Sequence, residues 1–191
     1  IQGITQLAII GLTEPISLSF YSYPPNAALL HAVFTLIPLP LAILFWCVLS
    51  VVCVVFAASL LNHYIIPKWL NNAEFSTLQV SILIFSSFAF FEGFEKGQSH
   101  GLTFLLIVTI LIATIREKWF LAGFLAAVST YKPQFVIGFL ILWIIRGRYK
   151  AIVSFLAVWF TWNGIVVLMK GFTPYLEYME FSNQMLYLPY S

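Results

Sequence analysis

An uncharged run of 21 residues, Leu41 to Leu61, constrains this chain more than any other feature. As a helix it is long enough to cross about 30 Å of hydrocarbon, which takes roughly 20 residues. Six further apolar runs surround it: Ala27 to Pro38, Leu78 to Phe91, Gly101 to Ile115, Trp119 to Tyr131, Gln134 to Ile145 and Ala151 to Met169. Of the 191 residues, 61% are hydrophobic and only 8% are charged, with a mean hydropathy of +0.96. A soluble domain carries about 25% charge. A soluble enzyme, a disordered tail and a secreted disulfide scaffold are therefore excluded. The expected fold class is all-α, a polytopic transmembrane helical bundle with short and kinked helices. The net charge of +2 gives no support to nucleic-acid binding.

Several of the runs hold only 12 to 15 residues. Alone they cannot span a bilayer. They must recruit flanking residues, sit in thinned lipid or be sheltered by neighbours. Pro38, Pro40 and Pro133 mark kinks or breaks. Reading Trp119 to Tyr131 and Gln134 to Ile145 as two helices sorts the basic residues. One face then holds Lys68, Arg116, Lys118, Arg146, Arg148 and Lys150; the other holds Lys96, Lys132 and Lys170. By the positive-inside rule the first face is cytoplasmic. As one long crossing, the same stretch would put Arg116 and Arg146 on opposite faces and blur that bias.

On this topology the unusual polar residues gather on the other, extracytoplasmic face. The first group is Phe20-Tyr21-Ser22-Tyr23-Pro24-Pro25, where two prolines preset the backbone ahead of a helix. It reads either as a helix-start turn with aromatic anchors or as the rigid rim of a substrate cleft. The second is Glu92-Gly93-Phe94-Glu95-Lys96-Gly97-Gln98-Ser99-His100, a solvated loop or a functional one at membrane depth. The third is Tyr131-Lys132-Pro133-Gln134. Here Lys132 either snorkels or meets a phosphate with its compact ammonium, and Gln134 can add a neutral hydrogen bond. The fourth is the tail from Gly171 to Gln184, which reads either as an interfacial helix with no ligand or as an amphipathic surface helix whose aromatic and amide groups, Asn183 and Gln184 among them, bind sugar. The basic loop Arg146 to Lys150 is most simply a topology determinant, with contact to anionic lipid the lesser reading.

Other chemistry is weakly represented. Cys47 and Cys53 lie six apart on different helix faces and read as small buried hydrophobes. No metal spacing, nucleotide loop or nucleophile elbow is present, so neither a metal nor a cofactor is expected. All seven acidic residues are Glu (14, 74, 92, 95, 117, 177 and 180), and there is no Asp.

The pattern resembles the glycosyltransferase-C superfamily. It resembles most closely glycosyltransferase family 87, the polyprenol-phosphate-mannose-dependent α-1,2-mannosyltransferase-like proteins (domain of unknown function 2029). The features that carry this are Tyr23-Pro24-Pro25, Gly97-Gln98, Ala122-Gly123, Lys132-Pro133, the Arg146 to Lys150 loop and Asn183-Gln184, over roughly Ser19 to Gln184. The resemblance implies a membrane enzyme of glycosyltransferase-C type that moves a sugar, mannose foremost, from a polyprenyl-phosphate donor. The acceptor would be an extracytoplasmic glycan or glycolipid at a bacterial plasma membrane, and the reaction would invert. It also implies that Lys132 stabilises the leaving phosphate. Tyr23, Pro24, Pro25, Gln98, His100, Gln134, Asn183 and Gln184 would line the substrate site. His100 stands where the family has Asn.

The family's base is expected to be an Asp in a loop upstream of Tyr-Pro-Pro. This chain offers only Glu14 there. With Ile1 at its start, the sequence is expected to be a fragment: residues 1–191 form a single membrane domain, and an N-terminal helix with the catalytic loop and C-terminal helices lie outside it. Two readings compete with the enzyme. A transporter or flippase for a lipid-linked glycan should place charges and broken helices at the midplane, in repeated halves. A non-catalytic membrane subunit would need no carboxylate.

Overall fold

A computed structural model describes residues 24–27, 32–70, 75–87, 90 and 99–186, apart from the side chains at 33, 35, 181 and 184–186. Among these residues every regular element is helical, as the apolar runs predict. A 3-10 turn, Ala32–Leu36, precedes α1 (Leu39–Tyr64) and the single turn α2 (Ile66–Trp69). Then come α3 (Thr77–Phe85), α4 (His100–Ile115) and α5 (Trp119–Val128), which runs on into a 3-10 turn at Ser129–Tyr131. The chain continues with α6 (Pro133–Ile145), α7 (Tyr149–Lys170) and α8 (Thr173–Leu186).

All three marked prolines act at helix starts, where their missing N–H costs nothing. Pro38 caps α1, Pro40 lies in its first turn, and Pro133 opens α6. α3 stops at Phe85, short of the apolar run that reaches Phe91. The Ser86 and Ser87 hydroxyls donate back to the Leu83 and Ile84 carbonyls at 2.9 and 2.8 Å, closing the helix on itself.

α1 and α7 are long and apolar enough to cross a membrane, with 26 and 22 residues; α4, α5 and α6 are shorter. The packing is inverted relative to a soluble protein. Ile43, Phe45, Val52, Phe56, Ile141, Ile144, Val153 and Phe160 are exposed, while small residues face inward. That is how helices pack where lipid is as apolar as leucine. On α5 the inward face is Ala122, Gly123, Ala126 and Ala127, against Ala151 and Phe155 of α7. A Cβ on Gly123 would strike the Ala151 carbonyl, and one on Gly101 would strike the Ser50 backbone.

Two contacts fix the direction of α4 against α1. Gly101 lies on Ser50, and the Arg116 guanidinium sits 4.1 Å above the Tyr64 ring. The helices are therefore parallel. α1 extends eleven residues above Ser50, about 16 Å at 1.5 Å per residue. The chain reverses at Lys132. Its φ of −127° and ψ of 75° break the helix, and Arg148 returns to Glu117 at 3.7 Å. Trp143 Nε1 donates to Thr114 Oγ1 at 3.3 Å. Trp119 to Ile145 is thus a hairpin of two helices, as the charge sorting requires.

Two loops at the basic end, α4–α5 and α6–α7, share one backbone design. The Lys118 N–H bonds the Ala113 carbonyl at 2.8 Å and the Glu117 N–H bonds Thr114 at 3.1 Å. The Arg148 N–H bonds Trp143 at 2.8 Å and the Gly147 N–H bonds Ile144 at 3.0 Å. Each is a Schellman cap whose pivot takes a left-handed φ, 56° at Glu117 and 63° at Gly147.

Candidate functional site

The opposite end is assembled from segments far apart in sequence. Pro24 and Pro25 open a turn closed by the Ala27 N–H on the Pro24 carbonyl at 2.9 Å. This turn carries Asn26 inward, where it is 3% exposed. The Asn26 amide donates to Thr130 Oγ1 at 3.2 Å. From the other side, Trp162 Nε1 of α7 donates to the Asn26 carbonyl at 3.2 Å. Ala27 packs with Leu106 and Tyr131. Three distant stretches, around residues 26, 130 and 162, therefore meet at one point.

A second chain of hydrogen bonds ties α4 to the α5–α6 corner. Tyr131 Oη and Thr103 Oγ1 lie 2.9 Å apart, and the Thr103 hydroxyl donates to the Ser99 carbonyl at 2.7 Å. This holds the start of α4, with His100 as its first residue, against the corner that presents Lys132. The His100 ring is half-buried and sits edge-on to Phe90, centroids 6.2 Å apart. Lys132 is 6% exposed, in the turn outside either helix. Burial pushes its ammonium pKa below the ordinary lysine value.

Two buried polar atoms beside this corner, Asn26 Oδ1 and Ser99 Oγ, meet no partner among the described residues. Such atoms are costly when left dry. Their pairing with a ligand's hydroxyls would remove that cost.

The site is recessed. α7 continues eight residues beyond Trp162 to Lys170, about 12 Å, and α1 overtops the start of α4 by about 16 Å. α8 folds back toward it, with Tyr175 Oη donating to Asn163 Oδ1 at 2.7 Å, next to Trp162. Burial raises the Tyr175 phenol pKa. Phe172, Leu176 and Met179 form an exposed apolar stripe along this segment, which suits an interfacial helix.

The expected site residues divide. Pro24, Pro25, His100 and Lys132 belong to the segments that converge. Gln134 is exposed, as is Asn183, which lies two turns along α8 from the Tyr175 contact. Glu14, Tyr23 and Gln98 and the Gln184 side chain lie outside the described residues. Reading the sequence alone marks Tyr131 beside Lys132 but passes over Asn26, Thr103, Thr130 and Trp162. Asn26 directly after two prolines is the one local signal among them.

No curated protein and no solved structure matches this chain. The family model for glycosyltransferase family 87 matches residues 21–187, nearly the whole chain. That match covers the Pro24 turn, the start of α4, the Lys132 corner and α7 together. With its two long apolar helices, the chain is a membrane glycosyltransferase and belongs to glycosyltransferase family 87.

Proposed function

We propose that this protein transfers a sugar, mannose foremost, from a polyprenyl-phosphate donor to a glycan or glycolipid acceptor, with inversion. The reaction would run on the extracytoplasmic face of a bacterial plasma membrane, in a multi-pass bundle. One observation carries the reading: a buried lysine stands where three distant segments meet, at the end opposite the basic loops.

In this scheme an acceptor hydroxyl oxygen attacks the anomeric carbon as the bond to the lipid phosphate breaks. The hydroxyl proton passes to a carboxylate. The departing phosphate takes up negative charge, and the Lys132 ammonium faces it. An anion there also offsets the desolvation that weakens the ammonium. Asn26, Ser99, His100 and Gln98 serve the sugar and acceptor hydroxyls, and Tyr23, Pro24 and Pro25 hold the rim. Gln134, Asn183 and Gln184 would join from the surface. The carboxylate is either Glu14 or an Asp upstream of Ile1.

The short helices fit this chemistry. α6 spans about 20 Å against about 30 Å of hydrocarbon. A site at its end lies near the level where a lipid-linked phosphate enters from the bilayer.

The test is sugar transfer by the full-length protein from a radiolabelled polyprenyl-phosphate mannose. Lys132→Ala and Gln98→Ala should each abolish most of it. Full activity in both would sink the site assignment, and movement of lipid-linked glycan without transfer would favour a flippase. Labelling of Gln134→Cys and Gly147→Cys from opposite sides of the membrane checks the facing.

A further inference from the structure

We infer that the basic end carries a binding site for one anionic phospholipid, in the cleft between α1, α2 and α4. The cleft holds about 200 Å³ and is lined by His63, Tyr64, Lys68, Ile112, Ile115 and Arg116 among others. It lies at the opposite end from Lys132, so it is separate from the proposed transfer site.

The chemistry is that of a headgroup. Lys68 comes from the single turn α2, and Arg116 caps α4; both side chains are exposed at the mouth. Arg116 is not left to wander. Its guanidinium rests on the Tyr64 ring, which fixes its plane and presents its N–H edge. Among the described residues no carboxylate lies within ion-pair distance of either cation, because the adjacent Glu117 is drawn to Arg148 at 3.7 Å. Two cations converging at one mouth therefore suit a phosphodiester.

The remaining walls argue for a lipid rather than a free anion. Ile112 and Ile115 form an apolar wall, and about two turns before His63 the same α1 exposes Val55 and Phe56. Trp69, 74% exposed, and Leu70, 54% exposed, stand just beyond Lys68. An exposed tryptophan beside a lysine marks the headgroup level. A phosphate held at the mouth would let its acyl chains run down α1 past Val55 and Phe56. Basic pockets between membrane helices take anionic headgroups in this way.

The test uses purified full-length protein and native mass spectrometry. The probe is an equimolar mixture of phosphatidylglycerol and phosphatidylcholine with identical acyl chains. One phosphatidylglycerol should be retained about thirtyfold in preference, the order expected of two cationic contacts. Lys68→Gln with Arg116→Gln should bring the ratio near one, and the exposed single change Lys68→Gln should lower it about fivefold. Ile112→Trp keeps both charges but fills the slot, and should also reduce retention. Arg146→Gln with Lys150→Gln should leave the ratio unchanged. The inference fails if the two lipids are retained equally. It fails too if the Lys68/Arg116 pair retains its preference, if Ile112→Trp binds as before, or if the Arg146/Lys150 pair lowers the ratio as much. Displacement by inorganic phosphate alone would identify a free-anion site and overturn the lipid assignment.

Discussion

At the basic end two loops, α4–α5 and α6–α7, close on themselves. Lys118 reaches back five residues to Ala113, and Arg148 reaches back five to Trp143. At the other end the polar contacts cross the chain: Asn26 meets Thr130 104 residues away, and Trp162 meets Asn26 136 residues away. Local caps make turns that form wherever their sequence stands. Long-range hydrogen bonds form only when the bundle is assembled, and they leave room for polar atoms that no partner among the described residues satisfies. The first end is built to close helices; the second is built to hold a ligand.

Four substitutions probe this contrast. The largest effect on stability should come from Gly123→Leu, in the basic half. Its side chain meets the Ala151 carbonyl, a backbone atom that cannot swing away. Overpacking of this kind costs about 3 kcal/mol, so thermal denaturation in detergent should show a clear drop or no folded protein. An unchanged midpoint would mean that α5 and α7 are not locked at this contact. Lys132→Ala should act the other way, removing at least about 100-fold of transfer activity with little change in melting. Loss of fold with loss of activity would recast Lys132 as structural.

Tyr131→Phe tests the corner more gently. It deletes the 2.9 Å contact with Thr103 and should cost about 1 kcal/mol. If the corner sets the site, KM for the donor should rise as well. The smallest effect has the opposite sign. Glu117 occupies a left-handed φ that costs a non-glycine residue about 1 kcal/mol. Its ion pair with Arg148 is exposed and is worth at most about 0.5 kcal/mol. Glu117→Gly should therefore stabilise the protein slightly, raising the melting temperature; a fall would show that the pair outweighs the strain.

What could be read in advance follows the same division. The Leu41 to Leu61 run declared α1, and Pro133 marked the break at the hairpin tip, because both signals are local. Sorting of the basic residues set Arg116 and Arg148 at one end, and the Arg148–Glu117 contact agrees. The early stop of α3 at Ser86 and Ser87 was not legible, since serine hydroxyls bend a helix only when they turn back on it. Asn26, Thr130 and Trp162 escaped for a different reason. Nothing in an apolar run such as Ala151 to Met169 tells which tryptophan will reach an asparagine near the start. Gln134 shows the converse: its sequence neighbour Lys132 is buried, yet it faces outward on the first turn of α6.

The α5–α6 hairpin also bears on how the protein enters its membrane. Neither arm exceeds 13 residues, and the tip carries a lysine. An insertion machinery that reads segments by length and apolarity has no reason to retain either arm alone. α7, with 22 residues and the small-residue seam that receives Gly123, is the first later segment able to hold them. The hairpin and α7 should therefore partition into lipid as one unit, so that a chain ended at residue 148 and released from the ribosome would leave the hairpin loosely held and open to protease.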